Sequence, residues 1–353
     1  MTADTTIRPA ILAGGLGTRL WPFSAPECPK QFLHIGGRQP TFQAALARSA
    51  RLGEGLVIAA EAQGSLVRKV ADELGWSGGL IFEPTPRDSG PAMAIAALAT
   101  AESHPQSLLL AMPADHVIAD DGAFLAAVDR GVGAAKSGNL VLFGTRAEAP
   151  ETGFGYVRTG QEAGAVEGPL QVTGFIEKPD RARAAELIAE GALWNCGMFL
   201  AAPATLISLF EILAPDILTA ARVALARSRL EHGACILDAE AFSRARRSSF
   251  DHAVVAGADN LVVVPASMGW RDIGTWEAMA RWLGTDGSGN CLAPGAIVVE
   301  SGNCVVHADG LRPVLVGVRD LVVIAANGQL LVMARDRASD LKSVLGGIAG
   351  DKI

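Results

Sequence analysis

The sequence has little that would suit it to a polyanion or a membrane. Its 30 Lys and Arg are outnumbered by 37 Asp and Glu, and a net charge of −7 argues against a protein whose main business is gripping nucleic acid. No apolar run reaches the roughly 18 residues expected of a membrane span. The opening MTADTTIRPA also lacks the basic start and apolar middle of a signal peptide. The expectation is a cytoplasmic protein with neither a membrane nor a nucleic-acid partner. Cysteine is scarce and scattered: Cys28, Cys196, Cys235, Cys291 and Cys304 are odd in number and never form a C-x-x-C pair. That spacing supports neither a disulfide framework nor a zinc site, and leaves five reduced thiols. What is present is length and apolar content: 353 residues, half of them hydrophobic, can bury one large core and a smaller one.

Short apolar runs alternate with helix-like stretches. PAILAG, EGLVIAA, GLIFEP, SLLLAMP and NLVLFG read as buried strands, being brief, continuous and closed by Gly or Pro. Helical spacing lies between them at 41–49, 61–74, 91–102 and 122–135. This alternation predicts an α/β fold with a mostly parallel sheet, whose ligands sit beyond the carboxyl ends of the strands. From about residue 287 the texture changes to β-type runs broken by Gly, Asn and Asp turns. That predicts domains at 1–286 and 287–353, the second a separate all-β appendage closed by a short amphipathic tail at 340–348. No fixed-period repeat stands out.

The first segment able to carry chemistry is PAILAGGLGTRLWPFSAPECPKQF, residues 9–32. It is not a Walker A loop, and it is not the dinucleotide fingerprint, because the third glycine slot after Gly15 and Gly17 falls on Leu20. The ingredients of a phosphate cradle remain. Gly14, Gly15 and Gly17 let backbone N–H groups approach anionic oxygens, Arg19 adds a planar fork, and Lys30, held between Pro29 and Gln31, adds a point charge. The plainer alternative is a tight turn with solvated cations.

The same segment resembles the signature of the sugar-nucleotide pyrophosphorylases, and its Trp-Pro and Pro-Lys-Gln-Phe elements resemble the mannose-1-phosphate guanylyltransferase branch. EPTPRDSGPA, MPADHVI, FGTRAEAPETGFGYVRTG, FIEKPD, LWNCGMFL and GWRDIGTWEAM follow in the family's order and carry the resemblance to Met279. It implies a Rossmann-like nucleotidyltransferase domain with a mixed, mostly parallel sheet, then a small left-handed β-helix-like domain that commonly supports dimer contacts. The implied reaction is in-line attack of mannose 1-phosphate on the α-phosphorus of GTP, giving GDP-mannose and pyrophosphate. The attacking phosphate is already ionised, so positioning and charge neutralisation are what catalysis needs.

The resemblance assigns roles residue by residue. Asp115 and Asp272 would hold magnesium (Mg2+), which takes one or two carboxylates and completes its shell with phosphate and water. Taken singly, Asp115 also reads as a strand-end turn former and Asp272 as the N-cap of a helix beginning near Thr275. Arg19 and Lys30 would bind the triphosphate, with Gly14, Gly15, Gly17 and Thr18 lining the loop. Lys178 would hold the sugar's phosphate, and Glu177 and Asn195 its hydroxyls. Glu177 and Lys178 can share a pocket only if the strand ends or bulges there, and Pro179 favours an ending. Gly153, Gly155 and Tyr156 would belong to the loop closing over the sugar. Arg87, Asp88, Ser89 and Gly90 stand where the family more often shows Arg-Asn-Thr-Ala, and Asp88 reads either as a guanine acceptor or as a helix cap.

Other departures are His252 for a tyrosine and Ala256 near the usual acid, with Cys28 and Cys196 where tyrosine and serine are common. His116 reads as a structural hydrogen-bonding residue. A homodimer without isomerase activity is expected. The alternatives are the same chemistry on another sugar or base, and a silent sugar-nucleotide-binding paralogue.

Overall fold

The computed structural model describes residues 6–15, 17–25, 27–160, 168–341 and 344–345. Part of the expected tail at 340–348 and the side chain of Thr18 lie outside the described residues. The chain forms two compact units that interleave in sequence. The larger holds the chain up to Gly14, Phe42–Ala114 and Ile118–Trp270, and the smaller holds Gly15–Thr41, Asp115–Val117 and the chain from Arg271.

The larger unit is built on an eleven-stranded sheet. Ile7–Ala13 pairs in parallel with Leu56–Ala60 and Leu108–Pro113, and Leu56–Ala60 with Gly79–Glu83. These runs are largely apolar and buried, with Arg8 and Glu83 the charged exceptions, as expected of parallel strands covered on both faces. Leu193–Ala201 runs antiparallel between Leu108–Pro113 and Leu140–Arg146, and the latter pairs in parallel with Leu261–Pro265. All five strands read from the sequence therefore point the same way, and the sheet becomes mixed through later insertions. Ser89–Ser103 is apolar nearly all round and lies in the core with Pro203–Leu213 and Pro215–Ala226. At one end, Trp194 pairs with Thr145 on one side and Tyr156 on the other, and Gly155 pairs with Glu177. Asn195 and Glu177 thereby come into one neighbourhood.

In the smaller unit, His116–Val117 pairs antiparallel with Arg271–Asp272, which joins MPADHVI to GWRDIG. Towards the C-terminus, Ile297–Val299 pairs in parallel with Val314–Val316, and Val305–Ala308 stacks on Leu321–Ala326. Both pairings have an offset of 17 residues (Ile297↔Val314, Val305↔Val322), so the chain coils at a fixed pitch that residue identities do not repeat. Leu321–Ala326 then turns back through Asn327 and Gly328, at φ 53° and 71°, to pair with Gln329–Ala334. Packing runs across residue 286 within the smaller unit. Leu20, Phe23 and Ile35 of the glycine-loop segment share one core with Ile273, Trp276 and Met279 and with Val305, Val322 and Ile324. Apolar side chains on both sides of that position need the same cover. Asn327 Nδ2 donates to Pro22 O at 2.8 Å, and Arg335 grips Glu277 with two bonds of 2.7 and 3.0 Å.

Candidate active site

In the smaller unit the chain turns sharply after the glycines. Gly17 sits at φ 64°, and a Cβ there would lie 2.8 Å from Lys30 Cβ, so only glycine lets the two segments approach. Ser24 Oγ donates to Gly17 O at 2.6 Å and Gln31 Nε2 to Gly15 O at 3.1 Å, closing the loop. Pro29 sets the entry to a short 3₁₀ turn, Lys30–Phe32, that buries Lys30. The Lys30 ammonium lies 2.9 Å from Asp115 Oδ2 and 3.1 Å from Asp272 Oδ1, and donates to Ile273 O at 3.3 Å. Asp272 is not a helix cap. Thr275 takes that position, accepting from Ala278 N, and Asp272 belongs to the strand pair that brings it to Asp115. A Cβ on Gly274 would lie 2.9 Å from Arg19 Nη2 and 3.3 Å from Asp272 Oδ1, so this glycine makes room for the exposed Arg19.

Charge in this cluster is matched. Burial alone would raise Asp272, but Lys30, with His116 and Arg19 beside it, holds its carboxyl far below the usual carboxylate range. Asp115 is likewise pulled down by Lys30 and His116 against its burial. The two acids in turn raise Lys30 despite its own burial. All three stay charged at neutral pH. Among the described residues no three His, Cys, Asp or Glu converge as a metal cage. The donor set is thus two hard carboxylate oxygens around a position that already favours a cation, which fits magnesium sharing its shell with phosphates.

The larger unit holds a second polar cluster. Its strand Leu170–Glu177 ends where Pro179 favours an ending, and Lys178 is left-handed at φ 47°. The turn lets Lys178 Nζ reach back to Glu177 Oε1 at 2.7 Å, so the neighbours do share a pocket. Gly155 stands opposite, where a Cβ would meet Glu177 Oε2 at 2.8 Å. Asn195 is buried, donates to Asp251 Oδ1 at 2.8 Å and accepts from Gly197 N at 3.1 Å. Burial, then the Glu177 charge, pushes Asp251 up to about 7, which Lys178 offsets only in part. Asp251 is absent from the sequence reading, although it lies beside His252 in FDHAVVAGA. The signal was an acid next to a motif departure.

The remaining sequence-derived positions divide. Gly153 is exposed, as a loop over a ligand would be. Tyr156 is buried, and its hydroxyl donates to Glu151 O at 3.0 Å, pinning that loop from behind. Asp88 caps Ser89–Ser103, accepting from Ser89 N at 2.8 Å, which is the cap of the two readings. Arg87 donates to Ala245 O and Ser89 Oγ accepts from Phe250 N, so both fasten the 245–250 segment. Gly90 is needed because a Cβ there would strike Ser248 O at 2.6 Å. Another residue missed from sequence is Glu83. It is 2% exposed, burial lifts it to about 8, and Oε1 has no hydrogen-bond partner among the described residues. Its Oε2 would lie 3.5 Å from a Cβ on Gly14, so that glycine keeps the space beside it open.

A mixed α/β sheet with a carboxylate pair and a glycine loop is the equipment of a nucleotide-transferring enzyme. Residues 8–285 match the family described as Nucleotidyl transferase, and residues 295–347 match the MannoseP isomerase/GMP-like beta-helix domain. The alginate biosynthesis protein AlgA of Pseudomonas aeruginosa is 36% identical over 341 residues, 96% of this chain and 71% of that protein. A mannose-1-phosphate guanylyltransferase of Escherichia coli is 35% identical over 342 residues, 96% of this chain and 73% of that one. A crystal structure from Thermus thermophilus, described as a mannose-1-phosphate geranyltransferase, superposes with a TM-score of 0.84 at 32% identity, covering 98% of this chain and 100% of the other. The chain belongs to the nucleotidyl transferase family, among the relatives of the mannose-1-phosphate guanylyltransferases.

Proposed function

We propose that the protein transfers GMP from GTP to α-D-mannose 1-phosphate, releasing pyrophosphate. The observation that carries this reading is the convergence of Lys30, Asp115 and Asp272 beside a glycine loop, in a chain that aligns over nearly its whole length with a guanylyltransferase. An ionised sugar phosphate attacks the α-phosphorus, the new P–O bond forms as the bond to the β-phosphate breaks, and no general base is required. Arg19 and Lys30, with Gly14, Gly15, Gly17 and Thr18, would take the triphosphate, and Arg19 and Lys30 would balance charge as pyrophosphate leaves. Asp115 and Asp272 would hold Mg2+, which when bound neutralises phosphate oxygens. Lys178 would orient the attacking phosphate, with Glu177 and Asn195 on sugar hydroxyls under the loop of Gly153 and Tyr156.

Base choice fits Glu83 better than Asp88, whose carboxylate is occupied as a cap. Guanine offers two adjacent donors, N1–H and N2–H₂, and Glu83, on giving up its proton as the base binds, can accept both, while adenine offers no such pair. Arg87, Asp88 and Ser89 would support the base pocket from behind. Residues 1–286 would carry the substrate groups and 287–353 the β support for the glycine loop. A cytoplasmic homodimer is part of this reading. Among the described residues no helix is long and apolar enough to cross a membrane.

The test is pyrophosphate release with Mg2+, crossing GTP, ATP, UTP and CTP against mannose 1-phosphate and glucose 1-phosphate. Release only with GTP and mannose 1-phosphate is expected. Release with another pair would move the substrate assignment, and no release with any pair would overturn enzymatic transfer.

A further inference from the structure

The cluster around Lys178 has more acid than base. Glu177 contacts Lys178 directly, and Asp251 and Asp88 act on it through space. Among the described residues Asp251 has no ion-pair partner as close as the one Lys178 gives Glu177, yet it does one defined thing: it accepts from Asn195 Nδ2. The other end of that amide accepts from Gly197 N. Flipping the amide would set its oxygen against a carboxylate and its N–H₂ against an N–H, so the orientation of Asn195 is unambiguous.

We propose that Asp251 is a positioning residue of the sugar-phosphate site, locking the Asn195 amide and adjusting the charge around Lys178 when a phosphate binds. The inference rests on the reading of Glu177, Lys178 and Asn195 as that site. A dianionic phosphate drawn to Lys178 brings negative charge to a place that already holds Glu177, Asp251 and Asp88. The cheapest relief is to protonate one acid. Glu177 pairs with the ammonium and Asp88 accepts from Ser89 N, whereas Asp251 faces the Asn195 amide. Its burial favours the neutral form, and a protonated Asp251 still accepts from Asn195 through its carbonyl oxygen. Its chain neighbour His252 is exposed and donates its backbone N–H to Ser249 Oγ. Binding of the sugar phosphate is thus linked to proton uptake, and weakens as pH rises through neutrality.

Two variants separate the parts. Asp251→Asn keeps an acceptor for Asn195 and cannot ionise, whereas Asp251→Ala removes both. Steady-state kinetics from pH 6 to 8.5 should show KM for mannose 1-phosphate rising with pH in the wild type and flat in Asp251→Asn. Asp251→Ala should raise that KM about tenfold or more, with KM for GTP within about twofold. In an Asn195→Ala background, Asp251→Ala should add little, because its effect runs through Asn195. Calorimetry of mannose 1-phosphate binding in buffers of different ionisation enthalpy should show proton uptake that Asp251→Asn loses. Equal uptake and equal pH profiles in wild type and Asp251→Asn would overturn the proton linkage. Full additivity with Asn195→Ala, or equal losses for both substrates, would overturn the positioning role. Should the wild type turn over no mannose 1-phosphate, the reading of the site fails instead, and the wild-type control alone reports that.

Discussion

The two polar clusters handle charge in opposite ways. Around Lys30, one buried ammonium is shared by two carboxylates at 2.9 and 3.1 Å, and both acids are pulled down. Around Lys178, one half-exposed ammonium faces three acids, and Asp251 is pushed up to about 7. The first cluster is complete without a ligand and has to exchange a cation to bind one. The second is out of balance until something cationic or a proton joins it. Breaking the first should therefore cost most. Asp272→Asn leaves Lys30 with Asp115 alone and removes a carboxylate from the proposed metal position. A fall in kcat of about 10²–10³, the scale of losing one preorganised charge-stabilising group, is expected with a native-like circular dichroism spectrum. Activity within tenfold of wild type would take Asp272 out of the transfer step.

The clusters also differ in what holds them. Glu177 and Asn195 sit on strands of the large sheet and Asp251 on a short helix of the same unit, whereas Lys30 sits in a short turn whose cover is the core shared with the C-terminal coils. Trp276 is fully buried in that core and touches Phe23 at a ring distance of 6.1 Å. Trp276→Ala should cost about 3–5 kcal/mol in chemical denaturation. Transfer activity should be lost at denaturant concentrations where the far-UV signal of the larger unit persists. Simultaneous loss of both would mean that the loop does not depend on this core separately.

Glu83 provides a third contrast, since among the described residues it is an acid with no ion-pair partner. In the unfolded chain its carboxyl ionises near the ordinary value of 4.5, and in the folded protein at about 8. Between those values the folded state holds the extra proton, so stability falls as pH rises across that window. Glu83→Gln should therefore stabilise the protein at pH 8 by up to a few kcal/mol and change little at pH 5. It should also raise KM for GTP about tenfold if the carboxylate reads guanine. A stability gain independent of pH would show that Glu83 is not protonated in the fold.

Much of this was legible before any coordinates. The five strands are continuous apolar runs, and a buried strand needs little else to identify itself. Asp115 and Asp272 stood out because MPADHVI and GWRDIGTWEAM resemble the family's motifs, whereas taken singly they also read as a turn former and a helix cap. Their pairing came from the resemblance and not from the residues themselves, because it depends on a two-residue strand contact between positions more than a hundred residues apart. Glu83 was missed because an isolated acid in a sequence reads as surface and only burial reveals it, and Asp251 was missed although it lies beside the departure at His252. The boundary near 286 was read from a change in texture. Packing follows which apolar faces need cover, and Leu20 and Phe23 find theirs across that line.

The smallest expected effect concerns the two thiols, one in each unit. Cys28 lies two residues before Lys30 and Cys196 directly follows Asn195, so both invite the idea of a redox-sensitive site. Burial raises both thiols, Cys196 very strongly and Cys28 less, which withholds the thiolate that reagents attack. Cys196 is fully buried, while Cys28 is partly open. Short exposure to an uncharged maleimide at pH 7 should label Cys28 slowly and Cys196 not at all, with transfer activity retained to within about twofold. Labelling of Cys196 in the folded protein, read by peptide mass, would mean that the strand carrying Asn195 opens on the timescale of the reaction. The acid-rich cluster would then be the looser of the two, and its unbalanced charge the reason.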